Sequence, residues 1–343
     1  MNSRKYYFDS LRVTAIFAVM ILHIAADNWL EASVSSFEWQ VFNFYDSLVR
    51  FGVPVFVMIS GALFLNPEKT IPVKKLYTKY IFRIAVVFVF WSFIYAARGY
   101  IKTGDMTKAT DNFLKGHYHM WFLYMIIGLY MIVPFVRQIA ESKALTKYFL
   151  VLALIFASIL PECANIISVF SAKWADLLRN ILYCELYVYF AAGYTGYFLL
   201  GYVLYRTDIS PKLEKIIYLA GIIGTVMTIL MSSYVSLLKN EPIAFFYNEL
   251  SVNVLLESAA VFVFFKQHYN HENKIVLKLS QYSFGAYLVH ALILALMREY
   301  TGLHTLTFSP VISVPVIAVI VFIISFIISA ILNHISVLKK YIV

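Results

Sequence analysis

Two residues suited to chemistry share one apolar helix in this sequence. Arg12 and His23 lie within DSLRVTAIFAVMILHIA, residues 9–25, a segment otherwise fit for lipid. A guanidinium is permanently charged and holds anions through a planar fork of donors. An imidazole takes and gives protons near neutral pH. Eleven residues at about 100° each make about 1,100°, roughly 20° beyond three full turns. The two side chains therefore share a face, about 16 Å apart along the axis. Asp27 follows His23 by four positions and joins that face. An ionisable residue inside a membrane span usually faces the bundle interior or a water-filled cavity. A line of them marks a route or an elongated ligand. On spacing alone a blander reading has equal weight: Arg12 snorkels to the headgroups, and His23 bonds to a neighbouring helix.

Other residues could complete such a site. Glu257 falls near the middle of the eighth apolar segment, where an unpaired carboxylate is expensive. Together with Asp27 and Glu185 it is a candidate to orient or charge-balance His23; otherwise it is a buried hydrogen bonder or carries a proton. His117 and His119 open the fourth segment at the level expected for His23, and an interfacial role beside Trp121 explains His119 equally well. His290 sits mid-span in the ninth, where helix packing is the favoured reading. Arg83 lies inside the third segment, with Lys79 just before it. No grouping has metal-ligand spacing, and Cys163 and Cys184 give no disulfide framework.

These residues must be positioned by membrane helices. The chain of 343 residues is 61% hydrophobic and 14% charged, against nearly half apolar and a quarter charged in soluble domains. Apolar runs of spanning length recur from end to end. They fall at about 8–27, 46–65, 80–99, 119–137, 147–168, 180–205, 214–238, 245–266, 281–298 and 310–335. The expectation is an all-α integral membrane protein of the cell membrane. It is a bundle of about ten transmembrane helices forming a single domain over residues 1–343. Gly52 and Pro54 should bend or break the second segment near Arg50.

Lysine and arginine gather on alternate connections, including Arg4, Lys5, Lys69, Lys74, Lys75, Arg137, Lys143, Lys147, Arg206, Lys266, Lys274, Lys339 and Lys340. The first connection on the other side, 28–45, has none. The positive-inside rule then places Met1 and Val343 in the cytoplasm. It also accounts for the net charge of +9 without nucleic acid, because the cations are scattered among loops.

Residues 9–23 resemble the opening of the acyltransferase 3 family of multi-pass membrane proteins, whose first helix carries an arginine, ten intervening residues and a histidine. Arg12 and His23 match that pattern. RFGVPVFVMISGALFL (50–65), KKLYTKYIFRIAVVFVFWSFIY (74–95), HMWFLYMIIGLYMIVPFV (119–136), YFLLGYVLY (197–205) and SFGAYLVHALIL (283–294) resemble later helices in order. The family often has two arginines separated by two residues at the start of the third helix. Here Tyr80 takes the first position and Arg83 the second, with Lys79 as a neighbouring charge.

The resemblance implies transfer of an acyl group, usually acetyl, from cytoplasmic acyl-CoA to an extracytoplasmic acceptor, commonly a cell-surface carbohydrate or glycolipid. Acyl-CoA is then a co-substrate, and no prosthetic group is implied. Arg12 and Arg83, with Lys79, would hold donor phosphates, and membrane lipid would surround the whole chain. His23 would act as general base on the acceptor hydroxyl, or form an acyl-histidine. Asp27, Glu257 and His119 are its candidate partners. The rival reading is a transporter or flippase of a small polar solute or lipid-linked sugar, since such proteins also use intramembrane Arg, His and Glu. A noncatalytic scaffold is a third.

Overall fold

Local signals set the helix ends. Ser36, Ser142 and Ser210 each accept a hydrogen bond from the backbone N–H three residues on, and Asn273 accepts two. Pro211 and Pro310 open their helices where no N–H partner is needed. Between these signals the apolar runs have one way to satisfy their backbone in lipid, which is to coil.

The structure, a computed structural model, describes residues 4–191 and 193–342, all helical or connecting. Met1 and Val343, whose side of the membrane the charge pattern predicts, lie outside the described residues. The helices are α1 (Tyr7–Ala25), α2 (Phe37–Leu48), α3 (Gly52–Phe64), α4 (Val73–Thr103), α5 (Met106–Lys115), α6 (Trp121–Glu141) and α7 (Lys143–Phe170). They continue with α8 (Ala172–Asn180), α9 (Thr195–Arg206), α10 (Pro211–Lys239), α11 (Val252–His268), α12 (Lys274–Thr301), α13 (Pro310–His334) and α14 (Ser336–Tyr341). Among the described residues, nine helices are long and apolar enough to cross a membrane, counting α2 and α3 as one broken span. The protein is thus an all-α, multi-pass integral membrane protein of the cell membrane.

Two expected spans take a different form. The second extends back to Phe37 and is interrupted at 49–51, one turn before Pro54. The break is filled from the side. Arg50 pairs with Asp46, donates to the Tyr247 carbonyl at 3.0 Å and lies 4.3 Å over the Tyr247 ring. The expected sixth span, 180–205, is not one helix. Ile181–Glu185 forms a π-helical turn after α8, Tyr187 takes a left-handed conformation (φ 52°), and helix resumes only at Thr195. α9 has 12 residues, or about 18 Å at 1.5 Å each.

Lipid gives helices little hydrophobic reason to associate, so small residues set the close approaches. α3 and α9 cross at Gly61 and Gly201. A Cβ on Gly61 would come within 1.7 Å of the Phe198 carbonyl oxygen, and one on Gly201 within 2.1 Å of that of Met58. α10 meets α11 in the same way through Gly221 and Gly224, against Ala260 and the Asn253 carbonyl. Gly61→Ala should therefore force the two backbones apart, at about 1–3 kcal/mol or more. A drop in melting temperature of detergent-solubilised protein, with Gly128→Ala as the unhindered control, is the expected result. Equal melting of both variants would contradict the contact.

Contacts divide the bundle into two ends. At one, Arg4 and Arg12 meet Asp9, Ser280 donates to Asp9 at 2.7 Å, Arg137 donates to the Asn66 and Lys69 carbonyls, and Lys266 donates to those of Leu204 and Thr207. At the other, Arg298 pairs with Asp27, Arg98 with Glu299, and Thr305 donates to Asn28.

Candidate functional site

Four elements assemble the site around α1: α4, α6 with the residues leading into it, α12, and part of α3. At the Arg4 end, a cavity of about 390 Å³ is lined by Arg4, Lys5, Asp9, Arg12, Asn66 and Lys69, among others. Arg12 has a limited debt to Asp9. That carboxylate already takes both Arg4 nitrogens at 3.0–3.1 Å and the Ser280 hydroxyl, and Arg12 reaches it through Nη1 alone at 3.3 Å. The rest of the guanidinium faces two cavities. The second, about 230 Å³ and mainly apolar, runs from Arg12 past Ile59, Ile84 and Tyr130 to Phe122, Val19 and Tyr287.

Beyond its far end stands a cluster of imidazoles. His23 stacks on His290 with ring centres 5.3 Å apart and meets the Tyr118 ring edge-on at 4.9 Å. The His119 ring lies 5.1 Å from His290, and its Nδ1 is 3.0 Å from His117 Nδ1. Tyr95 stacks on His117 at 4.2 Å. His290 Nδ1 is 2.6 Å from the Tyr287 carbonyl and so carries its proton there, which leaves Nε2 as the free nitrogen. Tyr287 Oη donates to the His119 carbonyl at 2.5 Å. His290 Nε2 is buried and closes no hydrogen bond, although buried polar atoms are nearly always bonded; the His119 ring lies against the Leu288 backbone. Burial, and then the nearby Arg98 charge, pull His117 down to about 4, so it is neutral at physiological pH. On the other side of the cluster an open cavity of about 320 Å³ holds His117, Tyr118, Asp27, Arg98, Lys102 and Arg298.

The order along each element is the same. On α1, Arg12 and Val19 line the apolar cavity, His23 joins the cluster, and Asp27 lines the open cavity. On α12 the sequence is Tyr287, His290, Arg298; on α4, Ile84, Tyr95, Arg98; through α6 and its approach, Phe122, His119, His117. Four separate helices thus carry the imidazoles between the apolar cavity and the open one.

The remaining expected site residues are placed elsewhere. Asp27 is committed to Arg298 at 2.8 Å rather than to His23. Glu257 is buried, and neither carboxylate oxygen closes a hydrogen bond. The groups facing it are Arg50, the Phe51 N–H and Asp46, at the α2–α3 break, not His23. Glu185 is exposed beside Asn180. Arg83 and Lys79 are exposed, and neither lines a cavity described above. A π-helical turn, Leu76–Ile81, precedes Arg83 and turns Tyr80 inward, where it meets Phe64 at 5.0 Å. Phe64 in turn stacks on Tyr130 at 4.2 Å beside the apolar cavity. The aromatic at the position where the resembled pattern has arginine therefore packs behind the cavity wall, against Phe64. His290 is the member of the cluster that spacing alone assigned to packing. Its mid-span position was the available signal, and only the α1–α12 contact shows what it touches.

Among the described residues no group of three histidine, cysteine or acidic side chains has the geometry to hold a metal ion. No curated protein and no solved structure matches the chain. A family pattern described as an acyltransferase domain, that of acyltransferase 3, matches residues 5–334. Nearly the whole chain is covered, including all four helices that carry the cluster, so this protein belongs to the acyltransferase 3 family of multi-pass membrane acyltransferases.

Proposed function

We propose that the protein is a membrane O-acyltransferase, acting as a single domain over residues 1–343, that moves an acyl group, in the first instance acetyl, from cytoplasmic acyl-CoA to a hydroxyl of an extracytoplasmic carbohydrate or glycolipid. The observation that carries this reading is the shared order of Arg12-lined cavities, imidazole cluster and open cavity on four helices. A thioester on a long, thin carrier fits such a path: charged groups at the Arg12 mouth, an extended arm through the apolar cavity, the reacting carbon at the histidines. Arginine suits phosphate through bidentate contact, with Arg4, Lys5 and Lys69 adding point charge. Arg83 and Lys79, on the outer surface of α4, contribute at longer range.

In the proposed reaction the acceptor hydroxyl enters from the open cavity, and neutral His23 takes its proton. The oxygen attacks the thioester carbonyl, the C–S bond breaks, and the imidazolium returns the proton to the departing thiolate. Ester and CoA thiol result, and the histidine is restored. The stack with His290 holds the His23 ring in place. Glu257, set against Arg50, supports the helix break. Incubation of purified protein with radiolabelled acetyl-CoA and envelope fractions tests the activity: label should pass to a carbohydrate-containing fraction. Transport of a solute without any labelling would support a transporter instead.

The topology belongs to the same proposal. α9, though short, runs from Tyr194, 5.7 Å from Trp121 at the imidazole end, to Tyr205, 5.9 Å from Phe8 at the Arg4 end. Counting it gives ten crossings and places both chain ends on the basic, cytoplasmic side. With Cys163 and Cys184 replaced by serine, an impermeant thiol reagent should label a cysteine at exposed Ser35 and miss one at exposed Thr70 in sealed cells. Labelling in the opposite pattern would invert the orientation.

A further inference from the structure

A large cavity lies away from the imidazole path. It is about 840 Å³ and sits between α6, α7 and α9 at the Arg4 end of the bundle. Lys143, Lys147 and Arg206 line it, and Glu141 is the one carboxylate among them. None of the three cations forms an ion pair among the described residues. They come from two helices that are not neighbours in sequence, and their cavity opens to the bundle's surface. Positive residues near a membrane surface are ordinary; three unpaired ones converging on a cavity of this size are not explained by topology.

A second cavity, about 200 Å³, continues from the first. Leu150 and Leu154 belong to both. Its walls are nearly all apolar, and Ala153, Ala157, Gly193 and Gly196 make it a slot by their small size. The slot exists because α9 has 12 residues while its neighbour α7, with the turns that extend it, has 28. A basic headgroup site at the membrane surface thus leads into an apolar groove running along the helices.

We propose that this composite site binds an anionic glycerophospholipid of the adjacent leaflet, its phosphate on Lys143, Lys147 and Arg206 and one acyl chain in the α7–α9 slot. The charge of the lining selects a phosphate with no compensating ammonium, because Glu141 alone cannot balance three cations. The slot selects a lipid over a free anion. The site stands apart from the acyl-transfer path, so neither depends on the other.

The test uses full-length purified protein in detergent, mixed with phosphatidylglycerol, phosphatidylcholine or inorganic phosphate, with retained ligand read by native mass spectrometry. Phosphatidylglycerol should be retained at least about 10-fold better than phosphatidylcholine. Combining Lys143→Gln, Lys147→Gln and Arg206→Gln should cut that retention about 100-fold, from the usual contribution of each surface cation. Lys147→Gln alone, on an exposed side chain, should lower it about fivefold and guards against misfolding of the triple variant. Ala157→Phe, which fills the slot, should weaken lipid retention and leave inorganic phosphate binding unchanged. Equal retention of the two lipids, or retention by a folded triple variant equal to wild type, would overturn the proposal. So would full displacement of lipid by inorganic phosphate, which marks a free-anion site, or by CoA, which makes this the donor's mouth.

Discussion

His23→Ala is expected to lose acyl transfer by about 100- to 10,000-fold, the usual contribution of a positioned general base. The loss should appear in kcat, because the histidine lies about 16 Å beyond the proposed phosphate site and contributes little to donor binding. His23 is half-buried and contacts aromatic rings, so its removal leaves a gap but orphans no charge. Expression and monodispersity should stay close to wild type. Turnover measured with acetyl-CoA and a labelled envelope acceptor checks the prediction. Wild-type turnover by a folded His23→Ala protein would remove this residue from the chemistry. His290→Ala should lower kcat less, since its ring supports His23 from the side and its Nδ1 is tied to Tyr287.

The second large effect concerns the donor. Arg12→Ala should weaken CoA binding by roughly 10- to 150-fold, as expected for a charged hydrogen bond of about 1.5–3 kcal/mol. Arg12→Lys should keep part of the affinity, because charge remains while the planar fork is lost. Arg83→Ala should cost far less than Arg12→Ala, since Arg83 lies outside both cavities that Arg12 lines. Calorimetry with CoA and with a pantetheine thioester lacking the nucleotide separates the contributions, and the Arg12 effect should shrink with the truncated donor. Equal losses for the two arginines would restore the paired donor site that the sequence pattern suggests. No loss for Arg12→Ala would return that residue to an anchoring role beside Asp9.

The asymmetry between these arginines has a local cause. α4 carries a π-helical turn at Leu76–Ile81, which alters the register between Tyr80 and Arg83 relative to a regular helix. Tyr80 turns to Phe64, Ile84 to the cavity, and Arg83 to the exterior. Nothing in KYIFRIAV signals that turn, because an inserted residue in the hydrogen-bond ladder is fixed by what the helix packs against.

The sequence by itself determined what depends on one helix and its solvent. Composition required membrane helices, since a chain so apolar and so poor in charge must satisfy its backbone by coiling in lipid. Helical rotation put Arg12 and His23 on one face; in the structure Arg12 lines the apolar cavity and His23 stacks on His290. Gly52 and Pro54 announced a break, which falls at 49–51. Tertiary structure decided which helix faces meet. It brought His290 against His23 across 267 residues of chain, a spacing that no periodicity encodes. It gave Asp27 to Arg298 and set Glu257 opposite Arg50, although either carboxylate could be drawn beside His23 from sequence alone. It also reduced the sixth span to α9, where Gly61 and Gly201 let two short helices touch backbone to backbone. The physical reason is one of range: rotation about a helix axis is fixed by 1.5 Å and 100° per residue, whereas the partner of a buried charge or ring is fixed by packing between segments far apart in the chain.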